Sequence, residues 1–428
     1  VCNGLLHTST YLSTYPWTWT ARAGALSTTG TPSFMQFRDA TSDVVYIADG
    51  GLLNVWNGTT LTTNIVGTLD VTTLAVHNQR LWGCGNSAFP DSIFYSALNN
   101  GDTLANGAAG GGQIIVRTFS DETVVGLASI NTSLLIFHRR GISRLTGYGQ
   151  DDITVAPQGL TADVGTIAPR SITSIGNLGF FVSERGLYKC NESEVIPVGT
   201  VETPDPLLPV IRNLTSAQIA TISATFNRAT RELWINVPLY GVYVYHTVLQ
   251  AWSGPWDSGF LSPATTTLFD SIDADGLPAV LRGDSSGYVS VCDEAGVFVD
   301  NQLSDGTGGT AYTMTVQMHR MYCGDDALAK SLRFGYVTAS LNGSLSTTIK
   351  WITETDTGSF TLPVTFSSAG LWGSGSWGTG IWGGGSSRNY RVQMNGTGYY
   401  IDVSIVDSGT AAPVFGRFQL ETFALGRR

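Results

Sequence analysis

The sequence predicts an all-β protein, a six-bladed β-propeller followed by an antiparallel β-sandwich or barrel. Three observations lead there: an internal repeat of about 45 residues, a composition poor in charge and rich in Gly, and a change of strand pattern near residue 312. The repeat is a run of bulky apolar residues, a turn containing Gly, and a second aromatic-rich run. It reads VVYIADGGLLNVW from Val44, LLIFHRRGISRL from Leu134 and GFFVSERGLYKC from Gly179. Looser copies are VPLYGVYVYH from Val237 and VLRGDSSGYVSV from Val280. The turn glycines Gly51, Gly141, Gly186, Gly241 and Gly287 lie about 90, 45, 55 and 46 residues apart, and the first gap holds a sixth copy between Arg80 and Leu98. Three or four short strands per unit, punctuated by Gly, Asn, Asp and Ser, match a propeller blade. An open β-array or a stacked sandwich is the competing reading of the same period.

The elements then follow in order. Residues 1–19 are expected to add a strand to one domain or the other, 20–302 to form the propeller, 303–312 (LSDGTGGTAY) a linker, and 313–428 the C-terminal β-domain. That last stretch replaces the period with longer alternating strands, among them KSLRFGYVTASL and NYRVQMNGTGYYIDVSIVD. One short helix is expected, SAQIATISAT, with Thr215 or Ser216 as its N-cap.

Composition narrows the function. Charged residues are 13% of 428, about half of the ~25% usual for globular proteins. A net charge of −10 argues against sequence-specific nucleic-acid binding, which needs a basic footprint, but suits a wall past which DNA slides. The sequence has no apolar run long enough for a membrane span, and VCNGLLHTST does not read as a signal peptide. Cys2, Cys84, Cys190, Cys292 and Cys323 are scattered without metal spacing and are expected to behave as small buried apolar residues in a reducing compartment.

Candidate chemistry is sparse. His7, His77, His138, His246 and His319 form no HxxxH or HExxH pair and read as structural imidazoles. Asp49, Glu184, Asp257 and Asp284 lie near blade turns, where paired carboxylates could hydrolyse glycosides, yet turn-forming Asx side chains account for the Asp members equally well. Asp273–Gly276 resembles half of a calcium loop without the closing Glu, so a hairpin turn is expected there. No catalytic residue, cofactor or metal is assigned, and the chain reads as non-enzymatic. The stretch LWGSGSWGTGIWGGGSS places Trp372, Trp377 and Trp382 five residues apart, a spacing that matches neither a helix face nor a strand face. It is either a loop folded over its own domain or a docking loop for a neighbouring subunit.

The unit GTIAPRSITSIGNLGFFVSERGLYKC (Gly165–Cys190), the AWSGPW hairpin (Ala251–Trp256) and the terminal GRFQLETFALGRR (Gly416–Arg428) together resemble the tail stabilisation, or nozzle, proteins of short-tailed bacteriophages. The resemblance runs over essentially the whole chain through loose motifs. It implies a structural virion protein of the tail, assembled in the host cytoplasm. The subunits would form a homo-oligomeric ring, a hexamer, below the portal and its adaptor protein. The lumen would pass DNA without reading its sequence, and the rim would dock tail fibres, spikes or a plug protein. The family supplies no catalytic residues. Candidate subunit-interface residues are Trp372, Trp377, Trp382, Arg417, Arg427 and Arg428. The C-terminal domain is expected to make the ring and line its channel, with acids such as Glu354, Asp356, Asp402, Asp407 and Glu421 available to repel DNA. Two other readings remain: a receptor- or glycan-binding propeller of a tail appendage, and a propeller glycosidase.

Overall fold

A computed structural model describes the chain except for residues 1–4, 10–18, 23–25, 28–30, 64, 66–68, 117–122, 148–153, 162, 201–203, 257–259, 262–263, 273–276, 293–298, 303–307, 312–313, 319, 324–327, 342–346, 363–387, 408–412 and 426–428. Two compact units divide it, Val1–Glu294 and Ala295–Arg428.

The first unit is a succession of antiparallel sheets, each built from strands consecutive in sequence, a propeller-like array. Sheet 1 comprises Ser33–Arg38, Asp43–Ala48, Asn54–Trp56 and Leu61–Thr62; sheet 2 comprises Thr73–His77, Arg80–Cys84, Ser92–Tyr95 and Gly112–Ile115. Sheet 3 runs through Val124–Ile130, Ser133–His138, Ile142–Thr146 and Thr154–Thr161, and sheet 4 through Thr173–Ile175, Leu178–Ser183, Gly186–Cys190 and Val195–Pro197. Sheet 5 holds Ser223–Asn227, Glu232–Val237, Gly241–His246 and Ala251–Trp256. Sheet 6 has three described strands, Thr265–Ile272, Pro278–Asp284 and Val289–Cys292. All six copies of the sequence repeat are the second and third strands of a sheet, with the Gly-containing turn between them.

Sheets 2 to 5 each bury both faces against their neighbours, which is why their second strands are apolar without alternation; Ser133–His138 (SLLIFH) is buried at every position. Five cores lie between consecutive sheets. Tyr46 and Leu81 meet between sheets 1 and 2, Trp82 and Ile136 between 2 and 3, and Phe137 and Phe181 between 3 and 4. Val182 and Leu233 meet between sheets 4 and 5, and Trp234 and Val280 between 5 and 6. First strands of successive sheets run side by side in the same sense. The Thr73 hydroxyl at the start of one donates to the Val125 carbonyl at the start of the next, and His77 at its end meets Ser129 at the other's end. All turns between second and third strands therefore emerge on one face of the array. Turns between first and second, and between third and fourth, emerge on the other.

On that other face sheets 1, 2, 3 and 5 are each clasped by the sheet that follows. Ala40 donates to the Asn99 carbonyl and Gly101 to the Asp39 carboxylate (sheets 1 and 2), and Asn78 donates to the Gly147 carbonyl (2 and 3). Glu192 accepts from the Thr132 amide and hydroxyl (3 and 4), and Arg228 lies 3.5 Å from Asp270 (5 and 6).

Several local expectations change. His7–Ser9 pairs antiparallel with Trp19–Ala21, so strand pairing of the N-terminal segment reaches past residue 19, and Leu6 and Leu26 pack on Ile47 and Leu61 of sheet 1. The expected helix forms at Ser216–Ile219, with Thr215 and Gln218 in a reciprocal capping box. A second helix, Leu207–Ile211, was not anticipated because Pro206 and Pro209 break its pattern; the Asp205 carboxylate starts it by accepting from the Leu207 amide. Ala251–Trp256 is a single edge strand, not a hairpin. Its register shifts opposite Val242–Val244, where Gly254 at φ +105° sits so close that a Cβ would lie 2.7 Å from the Val242 carbonyl oxygen. The strands flanking 273–276 pair with Ile272 opposite Pro278, while 273–276 itself lies outside the described residues.

In the second unit, Val299–Gln302 pairs with Gly308–Ala311, so strands occupy the end of the expected propeller range and much of the expected linker. Two further sheets share one core. One has the order Met314–Gln317, Asp402–Asp407, Thr347–Ile352, Thr357–Thr361. The other centres on Lys330–Leu341, with Pro413–Ala424 along one edge and Arg388–Gln393 and Thr397–Gly398 along the other. Leu332, Val337 and Val392 from the second meet Ile349, Trp351 and Val403 from the first.

Candidate functional site

Of the six residues expected at a subunit interface, the described structure places one. Trp372, Trp377, Trp382, Arg427 and Arg428 lie outside the described residues. Arg417 stands exposed on Pro413–Ala424, against the Gln419 side chain, whose oxygen accepts from it.

Alternation along these strands explains Arg417's surroundings. Val337, Val392, Phe418 and Leu420 point into the core, so residues between them point outward. The outward face carries Arg333, Arg391 and Arg417, all exposed, with Phe334 and the half-exposed Phe423 among them. The Arg391 guanidinium stacks 3.6 Å from the Phe334 ring centre, and Arg333 lies 5.6 Å from Phe334 and 5.5 Å from Phe423. A planar guanidinium on an aromatic face is positioned by the ring while its N–H donors point along its edge. Glu421 also lies on this face, and it accepts from the Tyr336 hydroxyl at 2.9 Å. Sequence reading missed the cluster because Arg333 and Arg391 meet only through a pairing of distant strands.

The acids expected to repel DNA are mostly engaged within their own unit. Arg320 grips Asp402 with two hydrogen bonds of 2.9 and 2.7 Å and holds its carboxyl below the usual carboxylate value. Asp407 is buried and accepts from the Thr347 hydroxyl at 2.7 Å.

In the first unit the acids near second-to-third turns serve the turns. Asp49 is buried and accepts from the Ser27 and Gly51 amides at 2.6 and 2.9 Å; Asp284 accepts from the Ser286 and Tyr288 amides at 2.9 and 3.0 Å. Glu184 pairs with Arg139 of the neighbouring sheet at 2.9 Å, and Asp257 lies outside the described residues. The histidines are also locally employed. His77 Nδ1 is 2.8 Å from the Ser129 hydroxyl, His138 Nε2 is 3.1 Å from that of Ser143, and His246 Nδ1 accepts from the Leu249 amide. Cys84, Cys190 and Cys292 are buried, and burial pushes the Cys84 and Cys190 thiols up to about 12. They pack as apolar residues. Among the described residues no group of His, Cys, Asp and Glu is placed to hold a metal, and no helix is long and apolar enough to cross a membrane.

No family model and no curated protein matches the chain. Solved structures similar to it include BBS1N in complex with ARL6DN, at 12% identity and TM-score 0.42 over 69% of this chain and 84% of that one. PorZ, a bacterial surface component of the type-IX secretion system of Porphyromonas gingivalis, matches at 12% identity and TM-score 0.45, covering 91% of this chain and 57% of that one. The extracellular domain of a hybrid two-component system of B. thetaiotaomicron matches at 14% identity and TM-score 0.42, covering 84% of this chain and 45% of that one.

Proposed function

We propose that the chain is a non-catalytic, ring-forming structural subunit of a short-tailed bacteriophage tail. In this reading sheet 6 closes against sheet 1 as a six-bladed propeller, and the two-sheet unit is a β-sandwich that makes the ring. The ring is a hexamer below the portal adaptor, a conduit for DNA ejection and a platform for fibres, spikes or a plug.

The observation that carries the reading is the Arg333–Phe334–Arg391–Arg417 face. It is a cationic, aromatic, outward surface on a chain of net charge −10, so a second copy of the same chain offers a complementary acidic surface. Arg and aromatic side chains are the residue types that dominate protein contacts, and an interface between unlike patches closes into a ring when its rotation allows. The sequence resemblance supplies the tail assignment.

Class averages from electron microscopy of the purified full chain test it, and six-fold rings are expected. The R391E/R417E double variant should keep its circular dichroism spectrum and run as a monomer in light scattering. Wild-type chain that stays monomeric at all concentrations, or rings that survive both charge reversals, would overturn the assignment of this face.

A further inference from the structure

Asn-Gly pairs begin at Asn3, Asn57, Asn100, Asn106, Asn342 and Asn395. Asn3 and Asn342 lie outside the described residues. A glycine carries no side chain to hinder its own nitrogen from approaching the amide carbon of the asparagine before it. The described pairs differ in what surrounds that amide.

Asn57 opens the turn between Asn54–Trp56 and Leu61–Thr62 of sheet 1, and both it and Gly58 are exposed. Its side-chain oxygen accepts from the Thr59 amide at 2.9 Å and from the Thr60 amide at 2.8 Å. Two N–H dipoles thus already point at the atom that becomes negative when a nucleophile adds to Asn57 Cγ. Gly58 has φ +92°, and a Cβ placed there would meet nothing within 4 Å, so the approach is open.

The other described pairs lack this combination. Gly101 is buried, and its nitrogen donates to the Asp39 carboxylate. The Asn106 side chain caps nothing. A Cβ at Gly396 would lie 2.6 Å from the Thr353 hydroxyl. Conversely, Asn86, Asn191 and Asn227 accept from the amides two and three residues on, as Asn57 does, but Ser87, Glu192 and Arg228 follow them. Among the described residues, Asn57 alone joins both donors to a following glycine.

We propose that Asn57 is a self-modifying site. The Gly58 nitrogen gives its proton to solvent and bonds to Asn57 Cγ; the Cγ–Nδ2 bond breaks, and ammonia leaves with a proton from water. Water then opens the cyclic imide at either carbonyl, leaving aspartate or isoaspartate. In sum, an amide and a water become a carboxylate and an ammonium, and no oxidant or reductant is needed. Isoaspartate adds a main-chain carbon to a hairpin that pairs Val55 with Thr62 and Trp56 with Leu61. The proposal is independent of ring formation and stands or falls separately.

Incubation of the full chain at mildly alkaline pH in water enriched in heavy oxygen, followed by peptide mapping in a mass spectrometer, tests it. Asn57 should convert ahead of Asn100, Asn106 and Asn395, taking up heavy oxygen as it does. It should convert at least about threefold faster in the folded chain than in the same chain unfolded in guanidinium chloride, because the turn donors exist only when folded and one hydrogen bond suffices for that ratio. Asn100, whose glycine is buried, should do the reverse. Gly58→Ala should slow the folded reaction. If that variant disturbs the hairpin, the folded-to-unfolded ratio of the wild-type chain decides alone. Conversion of Asn57 that trails the other pairs, or is no faster in the folded chain than in the unfolded one, overturns the proposal.

Discussion

The two units are both antiparallel β-structure with apolar cores, yet they are wired differently. In the first, every strand of sheets 1 to 6 pairs with the strand before or after it, and each core lies between sheets adjacent in sequence. In the second, Met314–Gln317 pairs with Asp402–Asp407, and Lys330–Leu341 with Pro413–Ala424, so its sheets exist only after distant segments meet. Local wiring makes stability nearly a sum of neighbour terms, whereas non-local wiring makes it all-or-none.

The largest test of this contrast is in the second unit. Trp351 is buried, its indole N–H donates to the Asn395 carbonyl, and Gly358 lies against its ring. Trp351→Ala should cost about 3–5 kcal/mol. Amide exchange should then rise throughout 314–424 together while sheets 1 to 6 stay protected. Leu134→Ala, at a fully buried position of sheet 3, should cost about 2–5 kcal/mol. Here exchange should rise most in sheets 2 to 4 and fade outward; uniform loss across the first unit would show it to be as all-or-none as the second. Thr215→Ala removes the hydroxyl that accepts from the Gln218 amide and should cost about 0.5–2 kcal/mol. Its effect should be confined to the helices between sheets 4 and 5.

Acid should separate the units with the smallest effect. Burial lowers His77 from its usual 6.5, so the folded state resists protonation that the unfolded state accepts, and stability falls as pH drops below 6.5. Asp39 and Asp205 are raised from 3.8 by burial and act in the opposite sense; their contribution falls as pH rises from the ordinary carboxylate value through their raised folded values. In the second unit Arg320 lowers Asp402, whose contribution is present above 3.8 and lost only as pH falls through its lower folded value. Urea midpoints followed by exchange at about pH 7.5 and about pH 5.5 should drop for the first unit alone. Replacing His77 by Gln should remove that drop.

The same wiring decides what could be read beforehand. The hairpin repeat was visible because its two strands and turn are contiguous, and Gly141 or Gly186 marks each turn directly. The Thr215 cap was visible for the same reason. The Leu207–Ile211 helix was hidden because its prolines argue against it and its starting contact comes from Asp205. Ala251–Trp256 read as a hairpin because Gly254 and Pro255 signal a turn, but a bulge satisfies the same residues. Arg391 gave no hint of Phe334, since the register joining them spans the long segment between their strands. Arg139 and Glu184 were each legible as turn residues, but their meeting needed sheets 3 and 4 packed side by side.

The clasps on the far face have a direction. The first-to-second turn of one sheet is held by the sheet that follows it: Asp39 by Gly101, Asn78 by Gly147, Thr132 by Glu192. Shortening the array from its start leaves the remaining clasps in place, while shortening it from its end after sheet 1, 2, 3 or 5 strips the hold from the new last sheet. Truncations of equal length should thus be unequal in consequence, unless the array closes on itself and the first sheet holds the last.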